Sequence, residues 1–129
     1  MQPSAWGDRP DYRVDLLRRR NRVTVRFDGA VLAESTGCLL VDEQDHGLVF
    51  YVPRKDVRMD LLVRSELETR CPFKGQASHY VLAAGGGPER LAWSYEHPYP
   101  EVARIEGFVA FYQDNVALEV GQAPYNGPR

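Results

Sequence analysis

Hydrophobic and polar residues alternate along several short segments of the chain, and a period of two residues is typical of β-strands. Residues 22–27 alternate in this way, and Asp28-Gly29 then leads into the apolar run 30–33. Alternation on both sides of an Asp-Gly pair predicts a β-hairpin with a tight turn. Another strand is predicted near residues 38–43.

Two further hairpins are predicted toward the end of the chain. Residues 77–83 and 90–96 are strand-like and flank a turn rich in glycine. Residues 107–112 and 115–120 have the same character around a short polar turn, so they are expected to pair with each other.

The middle of the chain predicts one buried strand followed by a short helix or a single helical turn. Residues 48–52 are continuously apolar and end at Pro53. Within 54–63 the apolar residues fall at helical spacing, and Asp56 is a candidate helix cap. About eight short strands with one or two short helices predict a mainly β fold. We expect a small antiparallel two-sheet domain, tent-like or barrel-like.

The bulk properties favour one globular domain in water. The chain has 129 residues, of which 43% are hydrophobic and 26% charged. Residues 1–20 are predicted to be a lead-in that packs on the body through Trp6 and Tyr12, residues 21–120 a single β domain, and residues 121–129 a flexible tail.

Charge and hydropathy exclude several classes of partner. The net charge of −2 argues against a nucleic-acid partner, which usually meets a strongly basic face. No apolar stretch is long enough for a membrane span, so no membrane partner is expected. Because an apolar signal region is also missing, we expect a cytoplasmic location. No feature of the sequence sets an oligomeric state.

The cysteines and histidines predict no metal site and no cofactor. Cys38 and Cys71 lie far apart and neither belongs to a Cys-x-x-Cys pair. The three histidines are scattered, without a carboxylate cluster beside them.

Reactive side chains are densest in residues 69–80, which contain a thiol, an ammonium, an imidazole and a phenol. Cys71 is a weak candidate nucleophile, because Lys74 three residues later would favour its thiolate form. The alternative is that Cys71 is a small buried apolar residue before the turn at Pro72. Lys74 itself precedes Gly75 and is placed either to pair an anionic ligand in a cleft or to be an ordinary surface lysine.

Polar candidates for a binding site also lie near the end of the predicted strand at residues 48–52. Tyr51, Arg54 and Asp56 lie where that strand ends, and the Arg54 fork suits a carboxylate or phosphate. The alternative is a structural ion pair between Arg54 and either Asp56 or Glu96.

An aromatic pocket is predicted from the strand around residue 93. Trp93 and Tyr95 alternate and therefore point to one face. Joined by His79, Tyr80 or Phe111, they would line a pocket, with ordinary core packing as the alternative.

Five segments of the chain form an ordered set: 31–35, 51–57, 69–75, 92–95 and 107–112. In this order they resemble the family known as domain of unknown function 427. The resemblance implies a compact, mainly β domain with a tent-like fold. Many tent-like proteins hold zinc with two Cys-x-x-Cys pairs, which this chain lacks. A nucleotidyltransferase-like label is sometimes given to the family, but the chain has neither a Walker-type phosphate loop nor an Asp-x-Asp pair.

Two functions fit these residues. The favoured one is binding of a small flat or anionic molecule in an aromatic-lined cleft, which needs no catalytic dyad. The alternative is a small-molecule enzyme that uses Cys71 or the Lys74 region for transferase or thiol chemistry; an interaction module is a weaker third. We expect an exposed Lys74 to meet Arg54, Trp93 and Tyr95 in one cleft. The predicted ligand-binding residues are Tyr51, Arg54, Asp56, Lys74, His79, Tyr80, Trp93, Tyr95 and Glu96.

Overall fold

Ten strands and four short 3-10 helices make up a computed structural model that describes residues 2–124. No α-helix occurs within that range, and none of its helices could cross a membrane. The strands are β1 (Val14–Arg18), β2 (Val23–Phe27), β3 (Ala30–Ser35), β4 (Leu39–Glu43), β5 (Val49–Pro53), β6 (Leu62–Cys71), β7 (Gly75–Leu82), β8 (Ala92–Tyr95), β9 (Phe108–Phe111) and β10 (Ala117–Val120). The 3-10 helices are Ala5–Gly7, Arg54–Asp56, Met59–Leu61 and Pro100–Ile105.

The strands form two antiparallel sheets. The larger has seven strands in the order β1-β4-β5-β9-β8-β7-β6, and the smaller has three in the order β10-β2-β3. The predicted fold class, a mainly β domain of two antiparallel sheets, is confirmed.

Two predicted hairpins are confirmed. In β2–β3 Phe27 pairs with Ala30, and Asp28 and Gly29 both have positive φ angles, 51° and 84°. Positive φ at both central residues is what a two-residue hairpin turn requires. The second hairpin joins β7 and β8, where His79 lies opposite Trp93.

The third predicted hairpin is wrong. β9 lies between β5 and β8 in the larger sheet, whereas β10 pairs with β2 in the smaller one. A turn closed by the Asn115 amide, which donates to the Tyr112 carbonyl at 2.8 Å, carries the chain from one sheet to the other. Local alternation identified both strands, but the choice of partner depends on which sheet face each strand covers.

The prediction for residues 54–63 also needs correction. The segment holds two separate 3-10 turns, and the long edge strand β6 begins at Leu62. Asp56 ends the first turn instead of capping a helix, and its carboxylate accepts a hydrogen bond from Ser35 at 2.6 Å. The sequence did not indicate β6, because polar residues occupy both faces along most of it.

The apolar core is divided by the larger sheet into two layers. Val109 and Phe111 face the layer that the smaller sheet covers, while Ala110 between them faces the other side. On that other side the 3-10 helix Pro100–Ile105 buries Val102 and Ile105 against the sheet.

The first residues lie against the turn between β6 and β7. The indole of Trp6 donates to the Phe73 carbonyl at 2.8 Å, and the Ala5 amide donates to the Pro72 carbonyl at 2.9 Å. A strand, β1, follows within the segment predicted to be a lead-in and pairs with β4. Of the tail predicted to be flexible, residues 125–129 lie outside the described residues.

Candidate functional site

A cleft with a volume of about 540 Å³ lies on the face of the larger sheet that the smaller sheet leaves free. Tyr51 of β5 and Trp93 of β8 lie on either side of Ala110 in the register of the sheet. Because Ala110 is small, the two large side chains meet above it. The Trp93 indole N–H donates to the Tyr51 hydroxyl at 3.3 Å, and the rings pack edge to face.

Tyr95 extends this aromatic floor. It lies two residues after Trp93 on the same face and opposite another alanine, Ala77 of β7. Tyr51 and Tyr95 are 2% and 7% exposed, while Trp93 is half-buried and presents part of its ring to the cleft.

Lys74 enters the cleft from the tight turn between β6 and β7. Cys71 pairs with Gly75 across this turn, and the Lys74 amide donates to the Cys71 carbonyl. Gly75 has a φ of 124°, and a Cβ there would lie 3.3 Å from the His97 carbonyl oxygen, so glycine is required. The turn directs the Lys74 side chain inward, and the residue is only 6% exposed. The expectation of an exposed Lys74 is therefore wrong.

The Lys74 ammonium bonds to the carboxylate of Glu43 at the end of β4. β4 and β7 are separated by three strands in the sheet, so this contact means that the sheet curls around the cleft. The Glu43–Lys74 pair thus joins the two ends of the curled sheet across the cleft.

Tyr12 and Phe73 form a second aromatic wall. Their rings stack with centroids 3.7 Å apart, and the Tyr12 hydroxyl donates to Glu43 Oε2 at 2.5 Å. Trp6 packs edge-on against both rings. The first residues of the chain therefore contribute directly to the cleft.

Burial and hydrogen bonding set the charge states in the cleft. Burial alone would raise the pKa of Glu43, but hydrogen bonds from Lys74 and Tyr12 outweigh it and lower the pKa. Burial and the bond to Glu43 raise the pKa of Tyr12 to about 12. Burial likewise raises the pKa of Tyr51 and of Tyr95, so both phenols stay protonated at neutral pH.

Cys71 lies in the wall of the cleft, partly exposed, with its sulfur 3.8 Å from the Lys74 nitrogen. Cys38 is fully buried in the layer between the sheets, where burial raises its pKa to about 11. The two thiols pack on opposite sides of the larger sheet, so Cys38 is not a resolving partner for Cys71.

Arg54, Tyr80 and Glu96 do not line the cleft, which corrects the prediction of one convergent site. Ser94 and Tyr80 alternate along their strands with Trp93 and His79, so they point to the opposite face. There Arg54, Ser94 and Tyr80 all bond to one oxygen of Glu96, at 2.7, 2.8 and 3.0 Å. The Arg54–Glu96 ion pair anticipated as the alternative is present.

Asp56 and His79 also lie away from the cleft. The Asp56 carboxylate bonds to Ser35, and the His79 ring is 1% exposed with its Nε2 2.8 Å from the Thr69 hydroxyl. Burial lowers the pKa of His79, with a smaller effect from Arg90, and favours the neutral ring.

The sequence analysis missed Tyr12, Glu43 and His46 as parts of this site. His46 lies beside the pair, with its Nε2 3.7 Å from Glu43 Oε2. No local pattern connects residue 43 with residue 74, because their contact depends on the curl of the whole sheet. Within residues 2–124 no group of three or more metal-ligating side chains is assembled.

Comparison with known proteins identifies the family but not an activity. No curated protein matches the chain. A family model described as a domain of unknown function, DUF427, matches residues 15–122. That match covers most of the chain and agrees with the resemblance of its five ordered segments. The chain therefore belongs to the DUF427 family.

Proposed function

We propose that this protein binds a small flat or anionic molecule in the cleft between Trp93 and Lys74. The observation that carries the proposal is the meeting of an aromatic floor and a buried ion pair in one concave space. Its volume, about 540 Å³, lies within the usual range for small-molecule pockets.

The chemistry of the cleft suits a ring with a polar group. Aromatic contacts with Trp93 or Tyr51 contribute on the order of 1 kcal/mol each beyond burial of area. Hydrogen bonds that involve a charged group contribute roughly 1.5 to 3 kcal/mol in a protein interior. Such a pocket holds a flat molecule by its faces and orients it by its polar end.

Saturation-transfer NMR with a panel of flat aromatic acids, amides and amines tests this proposal. We expect members of the panel to bind the wild type, and Trp93→Ala to remove binding because the floor of the cleft is lost. Lys55→Ala is a control variant that should bind like the wild type, since Lys55 is exposed and does not line the cleft. Equal binding to Trp93→Ala and wild type, with both folded by circular dichroism, would refute the cleft as the site.

A second candidate function is thiol chemistry at Cys71, favoured by the 3.8 Å distance between its sulfur and the Lys74 nitrogen. The Lys74 ammonium donates a hydrogen bond to this sulfur, and both groups line the cleft. The partly exposed sulfur would attack an electrophilic carbon of a molecule bound against the aromatic floor. A C–S bond would form as the bond from that carbon to its leaving group breaks; the leaving group would depart with the bonding electrons, and the thiol proton would pass to it or to solvent.

Alkylation with iodoacetamide, followed by mass spectrometry, tests the second candidate, with Cys38 as an internal control. We expect rapid labelling at Cys71 and none at the buried Cys38 in the folded protein. Cys71→Ser should remove the label, Cys38→Ser should keep it, and Lys74→Met should slow it. If Cys71 reacts no faster than a cysteine in an unfolded peptide, this candidate is eliminated.

A further inference from the structure

We propose that the cleft recognises aromatic carboxylates, with the ring against Trp93 and the carboxylate bound by the hydroxyls of Tyr51 and Tyr95. This inference rests on the proposed function and adds the chemical class of the ligand. It follows from which donors and acceptors in the cleft are already paired.

Two buried phenols in the floor have hydrogen atoms to donate. The Tyr51 hydroxyl accepts a bond from Trp93, but its own hydrogen has no acceptor within residues 2–124. The Tyr95 hydroxyl makes no hydrogen bond to any side chain or backbone group in that range. Neither hydroxyl is a fully buried atom without a partner; within residues 2–124 that description applies to His79 Nδ1. Both tyrosines line the cleft, so each hydroxyl has a hydrogen to donate to a ligand that carries an acceptor.

The strongest acceptor in the cleft is already engaged. Lys74 bonds to one oxygen of Glu43 and Tyr12 to the other. An amine ligand would have to share carboxylate oxygens that already accept bonds, whereas an acceptor would meet hydroxyl hydrogens that have no partner within residues 2–124. The raised pKa values of Tyr51 and Tyr95 keep both hydroxyls in the donor form.

Charge favours an anion over a neutral acceptor. The charges of Glu43 and Lys74 offset each other, which leaves Arg70 at the edge of the cleft. The Arg70 guanidinium donates to the Pro3 carbonyl at 2.6 Å and makes no ion pair with a carboxylate of the described residues. The lining thus carries a net positive charge, which raises the local concentration of anions.

The apolar walls of the cleft favour a ligand that carries a ring beside its anionic group. Val41 and Val49 line the cleft beside the half-buried Trp93, and its volume is large enough for one or two fused rings. A flat acid can place its ring on these apolar groups while its carboxylate reaches the tyrosine hydroxyls.

Isothermal titration calorimetry with three matched probes tests the inference: naphthoate, the neutral naphthamide and the cationic naphthylmethylamine. We expect naphthoate to bind about tenfold tighter than naphthamide and the amine to bind weakest. Tyr51→Phe and Tyr95→Phe should each weaken naphthoate about fivefold, since each removes one donor without removing the ring. Tyr80→Phe is the matched control, because its hydroxyl bonds to Glu96 on the opposite face, and it should leave the Kd unchanged.

The outcomes separate this inference from the proposed function. If naphthamide binds the wild type as tightly as naphthoate, or if both phenylalanine variants bind naphthoate like the wild type, recognition of a carboxylate is refuted. The proposed function stands in that case, provided that Trp93→Ala still removes binding. If neither these probes nor any member of the wider panel binds, both are refuted. The comparison of acid with amide uses only the wild type, so it remains decisive even if a variant does not fold.

Discussion

The two faces of strands β7 and β8 carry similar side chains but differ in how these are paired. On one face Arg54 and Tyr80 both bond to Glu96, so a cation, a phenol and a carboxylate satisfy one another. On the other face the cleft also contains a cation and a carboxylate, but the phenols of Tyr51 and Tyr95 keep free hydrogens. Residue types alone therefore do not distinguish a binding site from a structural network.

The smaller sheet covers one face of the larger sheet and leaves the face with the cleft free, which accounts for much of this difference. Ala77 and Ala110 lie under the cleft, next to Tyr95 and Tyr51 in the register. The neighbouring rings cover both alanines, which are 1% and 0% exposed, and the cleft lies above these rings. On the opposite face the smaller sheet packs against the larger one and buries residues such as Phe111.

The largest expected difference between the two faces is in stability. It should appear when Lys74 is replaced. Lys74→Ala leaves the buried charge of Glu43 without its partner, and we expect the free energy of unfolding to fall by about 3 kcal/mol. Urea unfolding followed by circular dichroism measures this change. Lys55→Ala, at an exposed position, should change it by less than about 0.5 kcal/mol.

A double variant shows whether the loss comes from the ion pair. Combining Lys74→Met with Glu43→Gln removes both charges, so the loss should be clearly smaller than the sum of the two single losses. Additive losses would show that the Glu43–Lys74 pair does not join the ends of the sheet as described.

A smaller effect is expected in the dependence of stability on pH. The pKa of Glu43 is lowered on folding, so its contribution to stability is complete above its ordinary value of 4.5 and is lost as pH falls below that value. The wild type should therefore exceed Glu43→Gln in stability at neutral pH, and the difference should shrink by about pH 3. Urea titrations of both proteins across this range measure the difference.

Glu96 provides the comparison for this titration. Its pKa is also lowered, because burial is outweighed by hydrogen bonds from Ser94 and Arg54, but its side chain is 42% exposed. The corresponding difference between wild type and Glu96→Gln should have the same sign and a smaller size, since solvent screens the pair. A larger effect at Glu96 than at Glu43 would reverse the roles assigned to the two faces.

Local chemistry made part of this structure predictable from the sequence. Asp28 and Gly29 determine a turn on their own, and the alternation of Trp93 with Tyr95 is enough to place both rings on one face. The same alternation, extended by one residue, places Glu96 with Ser94 on the face opposite Trp93.

The rest of the site depends on contacts between residues distant in sequence. Glu43 and Lys74 meet only because the sheet curls, and Tyr12 reaches Glu43 from outside the sheet. The burial of Lys74 follows from the turn at Gly75, whose φ angle cannot be read from the sequence. The sequence thus indicates the segment 69–80, which is rich in reactive side chains, but it does not indicate the distant residues that form the cleft together with that segment.

The smallest effect is predicted for Arg54, and it tests the division into two faces most directly. Arg54 and Glu96 are 35% and 42% exposed, so their ion pair contributes at most about 1 kcal/mol. Arg54→Met should therefore lower stability slightly and leave the calorimetric Kd for naphthoate unchanged, because the guanidinium does not reach the cleft. Tyr95→Phe, which removes one hydroxyl on the other face, should weaken the binding of naphthoate and leave stability nearly unchanged. If Arg54→Met weakens naphthoate as much as Tyr95→Phe does, the two faces act together, and the original prediction of one convergent site describes the protein better than two separate groups.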